Sequence, residues 1–404
     1  MLNRKALAFG AAAAIMLAAC SSGGATTAPT TAPTTAPTTA ASGGAESPAG
    51  SAAGGAGCKV GISWNNFQQP RWAATDKPAM FKAIQDGGGT VVGDPDANLD
   101  SQRQLSDIDT LISKGAQVLV ILAQDNKAIL PAIQKAKDAG IPVIAYDRLI
   151  EDPSGSVLYM SFDNVAVGQA EAEAILAKVP KGSYVLIKGD PGDANASTFL
   201  PQGWDKAGLA AKIASGDIKI IGDPKGTFTD GWKTEKAQAN MEAIIDQANS
   251  SGQKIDAILA ENDSTALGVA AAEAAKNYGP VPLSGQDGDP ANLNNLALGK
   301  QYVDVWKNSN ELGKAAGQAA LALCKDKDAS KVVINVNAAQ APDAGNSPID
   351  YKTPGGNTMK SIFLKVNPLT ADKLGDVFKA GWYATKDQIC KGVDSSSPGY
   401  QACQ

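Results

Sequence analysis

Charged side chains follow several apolar runs of this 404-residue sequence, and their types and positions indicate the chemistry of a binding site. In the stretch IPVIAYDRLI (141–150), a continuous apolar run is followed at once by Asp147 and Arg148. Such runs are typical of parallel strands that are covered on both faces, and ligands of these sheets bind beyond the carboxyl ends of the strands. A carboxylate and a guanidinium in that place therefore predict a polar site.

Other apolar runs end in the same way. The side chains that follow them are Arg71 and Trp72, Asp163 and Asn164, Asn195, Asp230 and Trp232, Glu261 to Asp263, Gln286 and Asp287, and Lys307. Carboxylate and amide oxygens accept hydrogen bonds from hydroxyl groups, whereas guanidinium, ammonium and amide N–H groups donate to them. Tryptophan rings can cover apolar C–H surfaces. Because both charge signs are present and can pair, the set favours a neutral polyhydroxy ligand over an anion.

Helix capping is a purely structural interpretation of the acidic members of this set. Aspartate is a preferred N-cap, and Asp163, Asp263 and Asp287 each precede a helical pattern. Capping does not account for Arg148 or Lys307, because a cation is unfavourable at the start of a helix. The collection as a whole therefore predicts a binding site.

Histidine is absent from the sequence, which lowers the expectation of catalysis because histidine is the commonest general base and metal ligand. The cysteines show no CxxC spacing, and no phosphate-binding glycine motif follows a strand. The net charge of −5 offers no basic surface for nucleic acid. We therefore predict a protein that is not an enzyme and that has no cofactor, no bound metal and no nucleic-acid partner.

The elements that must position this site alternate along the chain from residue 58 onward. Apolar runs predict strands at 59–63, 117–123, 142–146, 184–189, 218–222, 256–260 and 302–306. The segments between them have helical periodicity, as in SQRQLSDIDTLISKG. This alternation predicts an α/β fold with parallel sheets covered by helices, and the chain length favours two sheets over one very wide sheet.

The first 57 residues have a different composition. Basic residues precede a short apolar run at 6–19, so residues 1–20 are predicted to be a secretory signal. The end of this segment, LAAC, resembles a bacterial lipobox, in which Cys20 is lipidated; an ordinary cleaved signal is the alternative. Residues 21–57 are rich in Thr, Ala, Pro and Gly and are predicted to form a disordered tether.

Four more cysteines follow in this predicted exported chain. Cys390 and Cys403 are close in sequence, which favours a disulfide between them and, by elimination, a second one between Cys58 and Cys324. Four reduced thiols are the alternative.

From Cys58 to about residue 390, the chain resembles the bacterial periplasmic sugar-binding proteins of ABC importers. The stretches that carry the resemblance are NNFQQPRW, LSDIDTLISKGAQVLVI, IPVIAYDRLI, YMSFDNVAVGQ, TDGW, AENDSTALG and SGQDGD. The likeness is greatest to the D-xylose binders and next to the multiple-sugar binders. Two departures bear on the exact sugar: Trp64-Asn65-Asn66 stands where the xylose binders have an aliphatic residue and two acids, and the PGDANAS loop is reshaped around Asn195.

The resemblance implies two Rossmann-like lobes with parallel sheets, three hinge crossings and a ligand cleft between the lobes. The N-terminal lobe is expected to comprise 58–163 and about 306–335, and the C-terminal lobe 164–305 and about 336–404. The sugar contacts that the resemblance implies are Arg71, Trp72, Asp147, Arg148, Asn164, Asn195, Trp232, Asn262, Asp287 and Lys307.

The implied function is capture of a monosaccharide, with D-xylose or a related aldose expected, and delivery to the membrane subunits of an ABC sugar permease. We expect a monomer that is lipid-anchored to the outer face of the bacterial cell membrane or lies in the periplasm. One alternative is a sugar-sensing lipoprotein that feeds a signalling receptor. Another is an exported glycoside hydrolase that uses Asp147 and Asp287, although that chemistry needs a protonated acid and each of these residues has a cation nearby.

Overall fold

The described residues, 57–338 and 340–404 of a computed structural model, form twelve strands and thirteen α-helices. The predicted signal segment (1–20), the predicted lipidation site Cys20 and the predicted tether (21–57) lie outside these residues, apart from Gly57. Within the described part of the chain, no helix is long and apolar enough to cross a membrane.

The strands are β1 Lys59–Ser63, β2 Thr90–Gly93, β3 Val118–Ile121, β4 Val143–Tyr146, β5 Leu158–Phe162, β6 Gly182–Ile187, β7 Ile218–Ile220, β8 Ala257–Ala260, β9 Asp304–Trp306, β10 Ile349–Lys352, β11 Thr358–Leu364 and β12 Asn367–Leu369. The α-helices are α1 Lys77–Asp86, α2 Ser101–Ser113, α3 Leu130–Asp138, α4 Asn164–Lys178, α5 Leu200–Lys206, α6 Leu209–Ala214, α7 Thr234–Ser250, α8 Asp263–Ala275, α9 Pro290–Leu298, α10 Ser309–Lys325, α11 Leu374–Lys379, α12 Lys386–Ile389 and α13 Tyr400–Cys403. Each of the seven strands predicted from an apolar run is present, with ends that differ by three residues or fewer.

The first sheet has seven strands in the order β10-β11-β5-β4-β3-β1-β2, and all its pairs are parallel except β10 with β11. Strand β3 shows why its apolar run is continuous. Val118 and Val120 pack in the core beneath α1 and α10, whereas Leu119 and Ile121 pack in the core beneath α2 and α3. A strand that is buried on both faces needs apolar side chains at every position.

The second sheet contains β7, β6 and β8 in that order, and it is extended through residues 283–286 to β9 and β12. Ile258 bridges to Leu283, and Gln286 bridges to Val305, so this segment joins the two groups of strands. Helices α4 and α5 cover one face of β6, and α7 and α8 cover the other. Three sets of residues therefore lie next to one another: those that follow β8, those that follow residue 286 and those that follow β9.

The chain crosses between the two sheets three times, as the sequence analysis expects. The crossings lie at Asp163, at 307–308 and at 365–366. We call residues 58–162 and 309–364 the N-terminal lobe, and residues 164–306 and 367–404 the C-terminal lobe.

The position of the third crossing differs from the expectation, which assigned all of 336–404 to the C-terminal lobe. Strand β11 pairs in parallel with β5, and β10 pairs with β11, so residues 349–364 belong to the first sheet. Their assignment to the C-terminal lobe is wrong because a strand pairing formed across about 200 residues leaves no local pattern in the sequence.

Two disulfides join the cysteines in the arrangement that the sequence favours. Cys390 is bonded to Cys403, and Cys58 is bonded to Cys324 at the end of α10. The Cys58–Cys324 bond spans a sequence separation of 266, whereas the C-terminal bond spans 13. A longer closed loop restricts the unfolded chain more strongly.

Removing the long-range disulfide is expected to be the more damaging change. By loop entropy, Cys58→Ser with Cys324→Ser should lower the free energy of unfolding by about 5 kcal/mol, and Cys390→Ser with Cys403→Ser by about 3 kcal/mol. Denaturant unfolding of the two double variants measures both losses. An equal or reversed order would contradict the prediction.

Candidate functional site

The ends of strands from both lobes converge on one small cavity. Its lining residues are Gln69, Arg71, Trp72, Asp147, Arg148, Asp193, Asn195, Trp232, Asn262, Gln286, Asp287 and Lys307. Nine of the ten predicted site residues are among them. The tenth, Asn164, lies behind the lining, where its Nδ2 donates to Asn195 Oδ1 at 2.9 Å and to Ser161 Oγ at 3.0 Å.

Three lining residues are missing from the predicted contacts: Gln69, Asp193 and Gln286. Asp193 and Gln286 each follow a strand of the second sheet closely, so the strand-end rule that identified their neighbours also applies to them. Gln69 lies on an irregular loop, and its Nε2 donates to Gly231 O of the opposite lobe at 3.4 Å. Its sequence position carries no comparable signal.

The Arg71 guanidinium is the most highly connected group of the site. It is 1% exposed and lies 4.2 Å from the centroid of the Trp72 ring. Its Nη1 donates to Asp287 Oδ1 at 3.0 Å, which joins the N-terminal lobe to the C-terminal lobe. Burial alone would lower the pKa of Arg71, but the nearby carboxylates outweigh burial and raise that pKa well above its ordinary value. The guanidinium is therefore permanently charged.

Asp76 holds Arg71 in place, although it does not line the cavity. Arg71 Nη2 donates to Asp76 Oδ1 at 2.8 Å, and Nε donates to Oδ2 at 3.2 Å. The same carboxylate accepts a hydrogen bond from the Tyr146 hydroxyl at 2.5 Å. Such a two-point contact fixes the plane of the guanidinium as well as its position. Sequence reasoning missed Asp76 because it lies at the start of α1, away from any strand end.

Asp147 presents an acceptor to the cavity. Arg71 Nη2 forms an ion pair with Asp147 Oδ2 at 3.1 Å, and this buried oxygen accepts no well-aligned hydrogen bond from the described residues. Burial would raise the pKa of Asp147, but Arg71, Lys307 and Arg148 outweigh it and hold that pKa below its usual range. Asp147 is thus an ionised acceptor that can still accept a hydrogen bond.

Trp232 presents a matching donor. Its indole Nε1 is buried and has no partner among the described residues, and its ring lines the cavity. The ring lies directly against the backbone of Gly189, where a Cβ would be 2.2 Å from the ring. Only glycine at that position allows the indole to approach this closely.

Two further ion pairs complete the polar lining. Arg148 Nε lies 2.9 Å from Asp193 Oδ2, which is a second charged contact between the lobes. Lys307, at the second crossing, lies 3.3 Å from Asp287 Oδ1 and donates to Gln286 Oε1 at 3.0 Å. Each of the three cations that line the cavity is therefore paired with a carboxylate of the protein, which leaves no unpaired cation among them for an anionic ligand.

Unusual backbone geometry occurs at several of these positions. Asp147, Trp232 and Asp287 have φ values of 61°, 58° and 109°, in the region that favours glycine. Trp72 and Asn195 each begin a π-helical turn, and such turns are frequent at functional sites. Backbone strain of this kind costs about 1–3 kcal/mol per residue and persists where the surroundings enforce it. Site geometry is thus maintained at the expense of local stability.

The side chains that line the cavity are suited to form hydrogen bonds with a ligand. Among residues 57–338 and 340–404, no group of three or more Asp, Glu or Cys side chains is arranged to hold a metal ion. The lining provides carboxylates, amides and paired cations on both sides of the cavity, together with the rings of Trp72 and Trp232. This arrangement can surround a small molecule that carries several hydroxyl groups.

Comparison with known proteins gives consistent matches. The family model described as a periplasmic binding protein domain matches residues 60–328. The D-xylose-binding periplasmic protein of Escherichia coli is 34% identical over 309 residues, which cover 76% of this chain and 89% of that protein. A multiple sugar-binding periplasmic receptor of Rhizobium radiobacter is 32% identical over 287 residues, covering 66% and 78%.

A solved structure shows the same fold. The ABC transporter solute-binding protein of Clostridium phytofermentans, with bound β-D-glucose, superposes with a TM-score of 0.70 at 32% identity. The superposition covers 82% of this chain and 99% of that protein.

The buried position of Asp76 generates a test of the Arg71 network. Asp76→Ala should lower the free energy of unfolding by about 3–5 kcal/mol, because it leaves the buried guanidinium without its two-point partner. Asp109→Ala, which breaks the exposed Lys135–Asp109 pair, is the matched control and should cost less than about 1 kcal/mol. Urea denaturation measures both changes, and equal losses would contradict a special role for Asp76.

Proposed function

The chain belongs to the periplasmic binding protein family, and from this premise we propose that it captures a monosaccharide between its lobes and delivers it to an ABC sugar permease. The observation that carries the proposal is the cavity at the strand ends, whose lining comes from both lobes and whose charges are paired within the protein. Such a lining favours a neutral polyol, because each hydroxyl group can donate to one side chain and accept from another.

We infer that Asp147 accepts a hydrogen bond from a sugar hydroxyl and that Trp232 Nε1 donates one. Trp232 Nε1 is buried without a partner among the described residues, which costs about 1–3 kcal/mol. Asp147 Oδ2 is in an ion pair with Arg71 at 3.1 Å but accepts no well-aligned hydrogen bond from the described residues. Arg148 lies beside Asp147 and provides further donors. The rings of Trp72 and Trp232 would cover the apolar C–H surface of the sugar.

D-Xylose or a related aldose is the sugar that we propose. Support comes from the relatives: the Escherichia coli protein is a D-xylose-binding protein, and the Clostridium phytofermentans structure holds β-D-glucose. These two aldoses form the same pyranose ring and differ in one hydroxymethyl group. The nine predicted contacts that line the cavity apply to either of them.

Capture would proceed by closure of the lobes about the three crossings. A sugar that binds to one lobe in an open state and then contacts the other stabilises the closed state by the difference in its affinity for the two. The Arg71–Asp287 and Arg148–Asp193 pairs span the cleft and would form together with those contacts. The closed pair of lobes would then be the form that the permease engages.

A hydrolytic role is disfavoured by the state of Asp147. A glycoside hydrolase needs one protonated carboxyl group opposite a second carboxylate. Three cations hold the pKa of Asp147 below its usual range, so this residue is unsuited to be the acid.

We further propose that Cys20 is lipidated and that the segment 21–57 tethers the receptor to the outer face of the cell membrane. Support comes from the LAAC sequence and from the composition of the segment that follows it. A single chain is sufficient for the proposed function, because the lining residues of both lobes belong to it.

A thermal-unfolding panel tests the proposed ligand class. D-Xylose or D-glucose should raise the melting temperature of residues 57–404 by several degrees, because a ligand that binds only the folded state stabilises it. Other pentoses and hexoses and myo-inositol complete the panel and measure the breadth of specificity. Absence of a shift with every sugar would contradict the proposed function.

Arginine variants locate the binding in the cavity. Arg148→Ala should weaken the affinity for the stabilising sugar by about 10- to 100-fold, since a buried hydrogen-bonding partner is lost and Asp193 is left unpaired. Arg103→Ala on the exposed surface of α2 is the matched control and should leave the affinity unchanged. Isothermal titration calorimetry measures both.

The anchor is tested by cell fractionation. Wild-type protein should be recovered with membranes, whereas Cys20→Ser, which has no thiol for lipidation, should be recovered in the soluble extracytoplasmic fraction. Equal recovery of both proteins in the soluble fraction would contradict the anchor and would leave the sugar site unaffected.

A further inference from the structure

Three aspartates lie beneath the part of the cavity floor that belongs to the C-terminal lobe. Asp263, at the start of α8, and Asp304, in β9, are completely buried, and Asp289, before α9, is 3% exposed. None of the three lines the cavity. Full burial of an ionised carboxylate is strongly unfavourable without a paired cation, so burial favours the protonated form of these groups.

Asp263 and Asp304 face each other. Oδ1 of each is buried and accepts no well-aligned hydrogen bond from the described residues, and the two carboxyl groups are close enough to shift each other's pKa. The remaining oxygens are occupied: Asp263 Oδ2 accepts from the backbone N–H of Asp289 at 2.7 Å, and Asp304 Oδ2 accepts from Gln301 Nε2 at 3.3 Å. A hydrogen bond between two carboxyl groups requires a proton on one of them.

The neighbouring cations do not neutralise this pair. Lys307 and Arg71 both contact Asp287 Oδ1, at 3.3 Å and 3.0 Å. Two carboxylates in contact within a buried site cannot both be ionised, because their repulsion is not screened there. The pair must therefore retain a proton.

The pair also connects the three segments that carry the cavity floor. Asp263 directly follows Asn262, and its backbone N–H donates to Gln286 O at 3.0 Å. Its side chain accepts from the segment that follows Asp287. Asp304 precedes Lys307 by three residues in the same extended stretch. Separation of the two carboxyl groups would thus move α8, the 286–289 segment and β9 relative to one another.

We propose that Asp263 and Asp304 share a proton and that this proton-bridged pair positions Asn262, Asp287 and Lys307 for the ligand. The part that concerns the ligand rests on the proposed function, whereas the proton bridge rests on the full burial of both carboxyl groups and on their two unpartnered oxygens. Asp263 and Asp304 are positioning residues, since neither reaches the cavity.

Burial and the charges of neighbouring aspartates act on the pair in the same direction. Burial, followed by the charge of Asp304, raises the pKa of Asp263 well above its usual range. Burial raises the pKa of Asp304 to about 7 and that of Asp289 to about 7, and the charge of Asp287 contributes to both shifts. The Tyr383 hydroxyl donates to Asp289 at 2.7 Å, and Arg71 acts on Asp289 as the opposing cation.

These shifts fix the sign of the pH dependence. An unfolded aspartate titrates near pH 4, whereas the folded pair still holds its shared proton at about pH 6. Unfolding at that pH therefore releases this proton, and the stability that it provides is lost as the pH rises from about 4 through the folded pKa.

Asparagine variants test the bridge without a ligand. In Asp304→Asn the amide Nδ2 replaces the shared proton as the donor to Asp263, and in Asp263→Asn the roles are exchanged. Both full-chain variants should remain folded, and the number of protons released on unfolding at about pH 6 should fall by about one in each. Exposed Asp138→Asn is the control and should match the wild type. Thermal unfolding across a pH series measures the release.

An alanine variant tests the positioning role. Asp304→Ala removes the bridge and should weaken the affinity for D-xylose or D-glucose by about tenfold or more, whereas Asp304→Asn should restore it to within about twofold of wild type. If neither sugar binds the wild type, the proposed function fails and the positioning role is measured independently. The near-ultraviolet circular dichroism of the Trp306–Trp382 pair, which packs beside Asp304 and the 286–289 segment, should then change in Asp304→Ala and not in Asp304→Asn.

Three results would overturn the proposal. The first is a proton release that is unchanged in both asparagine variants. The second is failure of both variants to fold, because each retains a donor for the remaining carboxylate. The third is equal behaviour of Asp304→Ala and Asp304→Asn in sugar affinity or, without binding, in circular dichroism.

Discussion

Burial of the Arg71 guanidinium is the constraint on which the arrangement of the site depends. A charge that is 1% exposed is tolerated only where carboxylates surround it, and these come from three separate parts of the chain. Asp76 is contributed by the same helical segment, Asp147 by the end of β4, and Asp287 by the opposite lobe. Because the last of these spans the cleft, satisfying one cation also determines how closely the two lobes approach.

The partners of Arg71 have different roles. Asp76 is completely buried and holds the guanidinium plane through two hydrogen bonds, so the arginine is oriented within its own lobe. Asp147 Oδ2 forms an ion pair with Arg71 but accepts no well-aligned hydrogen bond from the described residues, so it can still accept one from a ligand. A site in which every polar atom were satisfied internally would have nothing to offer a ligand. Here the two roles belong to two carboxylates: Asp76 orients Arg71, and Asp147 can accept a hydrogen bond from a ligand.

The sequence identified most of this site because strand ends obey a simple rule. Apolar runs such as 142–146 mark the buried parallel strands, and the polar residues that follow them are brought to one edge of each sheet. Asp147 and Arg148 could be recognised in this way, whereas Asp76 could not, since aspartate is common at the start of any helix. The left-handed backbone at Trp232 could not be predicted from the sequence either, because tryptophan as a residue type does not favour that conformation.

The two parallel sheets were predictable from the same apolar runs, whereas the pairing of strand β11 was not. Alternating strands and helices indicated two parallel sheets, but strand β11 has no following helix and joins its sheet through a partner about 200 residues earlier. Pairings of this kind depend on tertiary contacts that a window of sequence does not contain. The shared proton of Asp263 and Asp304 belongs to the same class, since it arises only when α8 and β9 are brought together.

The Cys58–Cys324 bond has a consequence for the integrity of the molecule after damage. It joins the beginning of β1 to the end of α10, and residues 164–306 of the C-terminal lobe lie within the covalent ring that it closes. An extracellular protease that cuts one exposed loop anywhere in this ring produces two chains that remain linked by the disulfide. Both fragments therefore stay attached to the same lobe, and the nicked protein can remain assembled where a linear chain would separate.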